Sequence, residues 1–323
     1  MAHILIAGKL HAAGLERLKA AKDVSFTLVD EVSLASYLPH VGAADAVVLR
    51  TQPMTAEVIA AAPRLRIVSR HGVGYDAVDV AALNARGIPL AIVGDVNSRA
   101  VAEHTLMLML ATARKAARHD AAIRRGDWNV RNRFETVELD GKTLLLVGFG
   151  RIGRRVAELA NAFGMTVTAY DPFVKPEVMA KHGVRPAADL VTALAQADYV
   201  SLHMPGSTAG AVIWEEEIRA MKPGAILINA ARGGLVDEAA LDAALREGRL
   251  GGAGLDVLKS EPPAPGHPLL SNDRVLLSPH SAGLTAECAA RMAVASVQNV
   301  LDHFAGRLDP ALVVNAAAVG YRR

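Results

Sequence analysis

Short runs of β-branched and other apolar residues alternate along the chain with longer stretches whose apolar positions recur at helical spacing. Near the start, His3–Ala7, Val24–Leu28, Ala46–Leu49 and Arg66–Ser69 predict strands, with helices at His11–Ala21 and Thr55–Ala61. Near-continuous apolar strands are those covered on both faces. The alternation therefore predicts a parallel sheet with helices on both sides. A second set begins near Lys142, with strands at Thr143–Gly148, Thr166–Tyr170, Tyr199–His203, Ala225–Asn229, Gly254–Val257 and Val275–Leu277. Its helices are expected at Arg151–Phe163, Trp214–Met221 and Asp237–Glu247. Between the sets lies one long helix, Arg99 to about Arg118, with Ser98 as its N-cap. Val101, Leu106, Leu108, Met109 and Leu110 make it apolar nearly all round, the pattern of a helix buried between domains or subunits. Arg124 to Asp140 is irregular and charged, with Trp128 and Phe134, and a last helix is expected over Thr285–Phe304.

Composition narrows the classes. At 323 residues and 51% hydrophobic, the chain is too long for one small core and too apolar to be disordered. Lys and Arg number 35 against 33 Asp and Glu, so no charge excess asks for nucleic acid or a membrane surface. The single cysteine, Cys288, excludes an intramolecular disulfide and a Cys-based zinc or iron–sulfur site. The first apolar run, Ile4–Ala7, is too short for a signal-peptide core, and the helix from Val101 to Ala113 is too short to span a bilayer. The expectation is a cytoplasmic protein.

The chemistry starts at Lys142, where a strand runs into Gly148-Phe-Gly150-Arg151-Ile152-Gly153 and then a helix. Gly148 allows the tight turn, Gly150 lets the backbone approach a pyrophosphate, and Gly153 lets helix and strand pack closely. The helix N-terminus offers unpaired N–H groups to the phosphates. The next strand ends at Asp171, 18 residues after Gly153. A carboxylate there accepts from ribose hydroxyls and repels a 2′-phosphate, which points to NAD rather than NADP.

Three later segments place polar residues just beyond strand ends, where open α/β sheets hold ligands. Asn229 to Asp237 contains Arg232 followed by two glycines, a planar fork suited to a carboxylate. Gly254-Leu-Asp256-Val257 leads to Glu261-Pro-Pro263, and Ser278-Pro279-His280 follows. Each segment alone has an ordinary structural explanation. Together they offer an anion clamp, a carboxylate and an imidazole, and hydride transfer to a carbonyl needs a proton donor near neutrality.

On these residues the chain resembles the D-isomer-specific 2-hydroxyacid dehydrogenases, in their phosphoglycerate dehydrogenase and hydroxypyruvate reductase branch. The marks are Gly148-Phe-Gly-Arg-Ile-Gly153, Ala230-Ala-Arg-Gly-Gly-Leu-Val-Asp-Glu-Ala-Ala-Leu241, Gly254-Leu-Asp-Val257 with Glu261-Pro-Pro263, and Pro279-His280. The resemblance implies an α/β fold of two doubly wound parallel-sheet domains, one a Rossmann NAD-binding domain and the other flavodoxin-like. Residues 1–97 plus 285–323 would form the substrate domain, and 98–284 the NAD-binding domain with a dimerisation helix and arm. It implies NAD as cofactor, a 2-hydroxy or 2-oxo acid as substrate, and a homodimer.

Roles follow by the same resemblance. Arg232 would bind the substrate carboxylate and carbonyl oxygen, with His280 as acid/base and Glu261 as its partner. Asp256 would lie near the nicotinamide, and Gly148, Gly150, Arg151, Ile152, Gly153, Asp171, His203, Pro205 and Ala230 would complete the cofactor contacts. Val73 and Gly74, in the Gly72-Val73-Gly74 loop, with Arg50 and Asn97, would bind substrate. Ser207 or Thr208 would replace a hydroxyl that the family usually places after Pro205. The end at Arg323 predicts no C-terminal regulatory domain. The substrate is 3-phosphoglycerate-like or hydroxypyruvate/glyoxylate-like. The alternatives are an NAD(H)-sensing corepressor-like binding protein and a phosphite-type anion dehydrogenase.

Overall fold

A computed structural model describes residues 1–206 and 210–321. The first segment contains β1 (Ala2–Ala7), α1 (Ala12–Lys19), β2 (Val24–Val29), α2 (Leu34–Tyr37), β3 (Ala46–Leu49), α3 (Ala56–Ala60), β4 (Ile67–Arg70), α4 (Val80–Ala85) and β5 (Leu90–Ala91). Next come α5 (Ser98–Ala113), α6 (Ala116–Arg124), β6 (Thr143–Val147), α7 (Arg151–Ala162), β7 (Thr166–Tyr170), α8 (Pro176–Ala180) and β8 (Arg185–Pro186). Then follow α9 (Leu190–Leu194), β9 (Tyr199–Leu202), α10 (Glu215–Ala220), β10 (Ile226–Asn229), α11 (Glu238–Arg246), β11 (Gly252–Leu255), β12 (Val275–Leu277) and α12 (Ala286–Phe304). Two compact units result: Met1–Asn97 with Leu284–Arg323, and Ser98–Gly283.

The first unit is a five-stranded parallel sheet in the order β2-β1-β3-β4-β5. The apolar side chains of β1 and β3 alternate between its faces. Leu5, Val47 and Leu49 pack with Tyr37, Val58 and Leu83, and Ile4, Ile6 and Val48 pack with Leu18, Ala293 and Val297. The last helix, α12, thus belongs to this unit and covers one face beside α1. The order, with its reversal at β1, is flavodoxin-like.

The second unit is a seven-stranded parallel sheet in the order β12-β11-β10-β9-β6-β7-β8. The strand order reverses between β6 and β9, the Rossmann arrangement, and the carboxyl ends of those two strands are where such sheets bind ligands. Leu144 and Leu146 pack with α5 and α7 on one face, while Leu145 and Val147 face α9, α10 and α11. The expectation of two doubly wound parallel sheets is met.

The long helix differs from its expected form. It begins at Ser98 itself and ends at Ala113, because Lys115 takes a left-handed conformation (φ 50°) before α6 starts. Its apolar surface is also largely spent within its own unit: Ala102, Leu106, Leu108, Met109 and Ala113 lie in the core against the sheet and α7. The outward apolar groups are Met107 on α5, Ile123 on α6, and Trp128, Phe134 and Val137 beyond it. No helix among the described residues is long and apolar enough to cross a membrane.

Candidate active site

Gly148 follows β6 with φ 100°, and a Cβ there would lie 2.6 Å from the carbonyl oxygen of His203, which follows β9. The first glycine of the motif therefore sits where the two central strands part, and no larger residue fits. A Cβ on Gly153 would lie 2.5 Å from Gly148 O, so α7 starts close against the turn. Gly150 is the contrast: a Cβ there meets nothing within 4 Å. Gly150 is itself the N-cap of α7, so the helix's first N–H groups have no side-chain cap, and the open space beside them is what a backbone-bound pyrophosphate needs. Asp171 directly follows β7, and both its carboxylate oxygens are engaged. Oδ2 accepts from Phe149 N–H at 2.8 Å and Oδ1 from Phe173 N–H at 2.9 Å. Each oxygen keeps a lone pair for a ribose hydroxyl. The residues present fit a dinucleotide.

His203 Nε2 shares a 2.8 Å hydrogen bond with Ser201 Oγ, and burial pushes its imidazole down to about 3, so it is neutral at pH 7. Pro205 follows two residues on. The Ser207 and Thr208 hydroxyls lie outside the described residues.

Arg232, Glu261 and His280 come together at the carboxyl ends of β10, β11 and β12. Asn229, buried at the end of β10, bends the next segment: its Oδ1 accepts from Ala231 N–H at 3.0 Å and its Nδ2 donates to Arg232 O at 2.8 Å. Ala230 lies in this turn, and Arg232 emerges from it with Nη1 on Ala231 O. Glu261 Oε2 meets His280 Nδ1 at 2.6 Å, and its Oε1 accepts from Leu258 N–H at 3.1 Å. The Glu261 hydrogen bond is the main influence lifting the His280 imidazole above its ordinary value. Burial works against it, the Glu261 and Asp256 charges add to it, and Arg232 opposes it. Burial pushes the Glu261 carboxyl up, but the His280 bond and charge outweigh it and leave it lowered. Both shifts favour the imidazolium–carboxylate form of the pair; Nδ1 is committed to Glu261, and the ring's other nitrogen is the one that can face a substrate.

Two residues without an expected role, Glu238 and His267, hold the Glu261 loop. Glu238, in the first turn of α11, accepts from Lys259 N–H at 2.6 Å through Oε1 and pairs with His267 Nε2 at 3.1 Å through Oε2. Glu238 lies within the Ala230–Leu241 motif, directly after Asp237, the N-cap of α11, but nothing local in the sequence marks its long-range partners. Asp256, 1% exposed, does not present a free carboxylate: it accepts from Ser278 Oγ and from the Ser281 and Ala282 N–H groups.

The remaining candidates, Arg50, Val73, Gly74 and Asn97, belong to the first unit. Arg50 donates to Lys9 O at 3.4 Å. Arg70 is committed to the backbone, with Nε on Gly74 O at 2.6 Å and Nη1 on Leu49 O at 3.0 Å. It braces the Gly72–Gly74 loop through a carbonyl and not through the loop's N–H groups. Burial, with the charges of Arg50 and Arg70, pushes His71 down to about 4. Asn97 Oδ1 and His71 Nε2 are buried without a hydrogen-bond partner among the described residues.

Residues 106–282 match the family described as D-isomer specific 2-hydroxyacid dehydrogenase, NAD binding domain. The chain belongs to this family. It is 39% identical to a D-3-phosphoglycerate dehydrogenase of Methanocaldococcus jannaschii over 89% of its length, and spans about half the length (54%) of that relative. It is 39% identical to a glyoxylate reductase of Korarchaeum cryptofilum over 82% of this chain and 81% of that one. Among solved structures it superposes on the TT0316 protein from Thermus thermophilus with a TM-score of 0.89 and 36% identity, covering 97% of this chain and 99% of that one. Within the family, the second unit is the NAD-binding domain.

Proposed function

We propose that the protein is an NAD-dependent dehydrogenase that interconverts a D-2-hydroxy acid and its 2-oxo acid. The observation that carries this reading is the 2.6 Å Glu261–His280 pair beside Arg232, set on the second unit's sheet a few strands from the Gly148–Gly153 turn. In the reductive direction the bound reduced nicotinamide supplies the hydride. Arg232 holds the substrate carboxylate and polarises the carbonyl with its planar fork. His280, protonated, gives its Nε2 proton to the oxygen that gains negative charge, and Glu261 holds Nδ1 and stabilises the imidazolium. The balance is 2-oxo acid, NADH and a proton to 2-hydroxy acid and NAD⁺. In the oxidative direction His280 takes the hydroxyl proton.

The test is a turnover panel: glyoxylate, hydroxypyruvate, its 3-phosphate and longer 2-oxo acids, each with NADH and NADPH. NADH oxidation dependent on a 2-oxo acid is expected. No turnover with any of them would end this reading.

Asp171 supports NAD over NADP, since a 2′-phosphate would meet a carboxylate already fixed by two N–H groups. Asp171→Ala is expected to raise KM for NADH and to narrow the gap to NADPH. Equal use of both cofactors by the unaltered chain would contradict this assignment.

Arg50, Val73, Gly74 and Asn97 are proposed to contribute to substrate recognition. If Arg50 reads a second anionic group, Arg50→Ala should raise KM for a phosphorylated 2-oxo acid by roughly 10-fold or more, since one such contact is worth about 1.5–3 kcal/mol. KM for hydroxypyruvate should change little, and equal effects on both would remove Arg50 from that role. A homodimer through α5, α6 and the following arm is supported by Trp128, 62% exposed, and Phe134, 89% exposed. Sedimentation of the chain at assay concentration tests it. A cytoplasmic location is proposed with the enzyme reading.

A further inference from the structure

The hydrogen bonds beneath His280 lead to a residue outside the Arg232–Glu261–His280 set. His280 sits in the left-handed region, φ 49°, a conformation uncommon for any residue with a side chain. Its N–H donates to Asp256 O at 2.7 Å. The Asp256 carboxylate then spans the flanking segment: Oδ1 accepts from Ser278 Oγ at 2.6 Å and from Ser281 N–H at 2.8 Å, and Oδ2 from Ala282 N–H at 2.9 Å. Ser278 has one hydroxyl proton, and it goes to Asp256. Its oxygen can therefore only accept from the next neighbour, His104 Nε2, 2.8 Å away. That fixes the proton on His104 Nε2. The same nitrogen lies 3.4 Å from Asp256 Oδ1. His104 projects from α5, a helix that otherwise packs apolar residues on the sheet.

We infer that His104 is a positioning residue: its Nε2–H anchors Ser278 and Asp256, and through them keeps residues 278–282 in the conformation that aims His280. The effect on the reaction rests on the function proposed above; the effect on the segment does not. Without the donor, Ser278 loses a partner and can turn away from Asp256, and the left-handed excursion loses one of its restraints. A proton donor displaced by a fraction of an ångström loses rate steeply.

Two readouts on the full chain test this: hydrogen–deuterium exchange of the peptide covering 278–283, and steady-state kinetics with NADH and the best 2-oxo acid. In His104→Leu, exchange at Ser281 and Ala282 is expected to accelerate, and kcat to fall about 10-fold, with KM for NADH within about 2-fold. His104→Gln, whose amide can put an N–H where Nε2 was, is expected to restore protection and most of kcat. Ser278→Ala breaks the same link without touching α5 and should repeat the His104→Leu result, even if that variant folds poorly. Unchanged exchange or unchanged kcat in the Leu and Ser278 variants overturns the inference, as does a Gln variant no better than Leu. If the exchange pattern holds but the unaltered chain turns over no 2-oxo acid, the proposed function fails and the anchoring of 278–282 by His104 stands.

Discussion

His280→Ala is expected to lower kcat for 2-oxo acid reduction by roughly 10²–10⁴-fold, the usual contribution of a positioned acid or base. The ring is about half exposed, held at Nδ1 by Glu261 at 2.6 Å and pushed toward its protonated form by that bond. Removing it takes away the proton donor while Arg232 and the Gly148–Gly153 turn remain, so KM for NADH should move far less than kcat. The backbone adds a complication, because Ala is less at ease than His at φ 49°. His280→Asn separates the two effects. Asn tolerates the left-handed region and keeps a polar side chain, yet supplies no titrating proton, so it should be as slow as Ala. Either variant retaining kcat within a few-fold of the unaltered chain would remove His280 from the reaction.

Gly233→Ala is expected to reduce kcat/KM by roughly 100-fold or more with the chain still folded. Gly233 follows Arg232, and a Cβ on it would fall on the carbonyl group of Leu258 and the nitrogen of Lys259. These are backbone atoms and cannot swing aside, so the loop carrying Glu261 has to move. Forcing atoms into a filled space costs about 1–3 kcal/mol. The larger consequence is kinetic, since a displacement near 1 Å at a catalytic group costs roughly 100-fold in rate. Gly234→Ala is the control: a Cβ there meets nothing within 4 Å, and little loss is expected. Circular dichroism and a thermal melt separate the loss of rate from loss of fold. Wild-type kcat/KM in Gly233→Ala would mean that the Arg232 and Glu261 loops do not depend on their close contact.

Much of this was legible in the chain itself. Strands buried on both faces, such as Val47-Val48-Leu49 and Leu144-Leu145-Leu146, announce themselves as apolar runs, and the Gly148–Gly153 spacing names its own turn. What escaped was short or tertiary. Two-residue strands, Leu90–Ala91 and Arg185–Pro186, have no period to read. Leu34–Tyr37 and Leu190–Leu194 are single-turn helices, fixed by caps from Ser33 and Asp189. The break at Lys115 is a left-handed residue inside a sequence with ordinary helical propensity. Polar side chains mislead in both directions. Arg70, a cation at a strand end just before Gly72-Val73-Gly74, donates to two backbone carbonyls. His104 reads as one polar residue on an apolar helix, yet its partner is 174 residues away in sequence. Separations of that size leave no local signal.

In the proposed reaction Glu261 keeps His280 protonated for its task. This role is tested most directly by the pH dependence of kcat/KM for 2-oxo acid reduction in the unaltered chain and in Glu261→Gln. His280 lies above the ordinary histidine value of 6.5, first because of the Glu261 hydrogen bond and then because of its charge, against the opposing effect of burial. Reduction uses the protonated ring, so the rate should be flat at lower pH and fall as pH rises through that raised pKa. In Glu261→Gln the charge is gone and the bond is weaker, so the ring gives up its proton at lower pH and the fall should begin earlier. A profile that does not move, or that moves to higher pH, would contradict the pairing on which the proposed reaction rests.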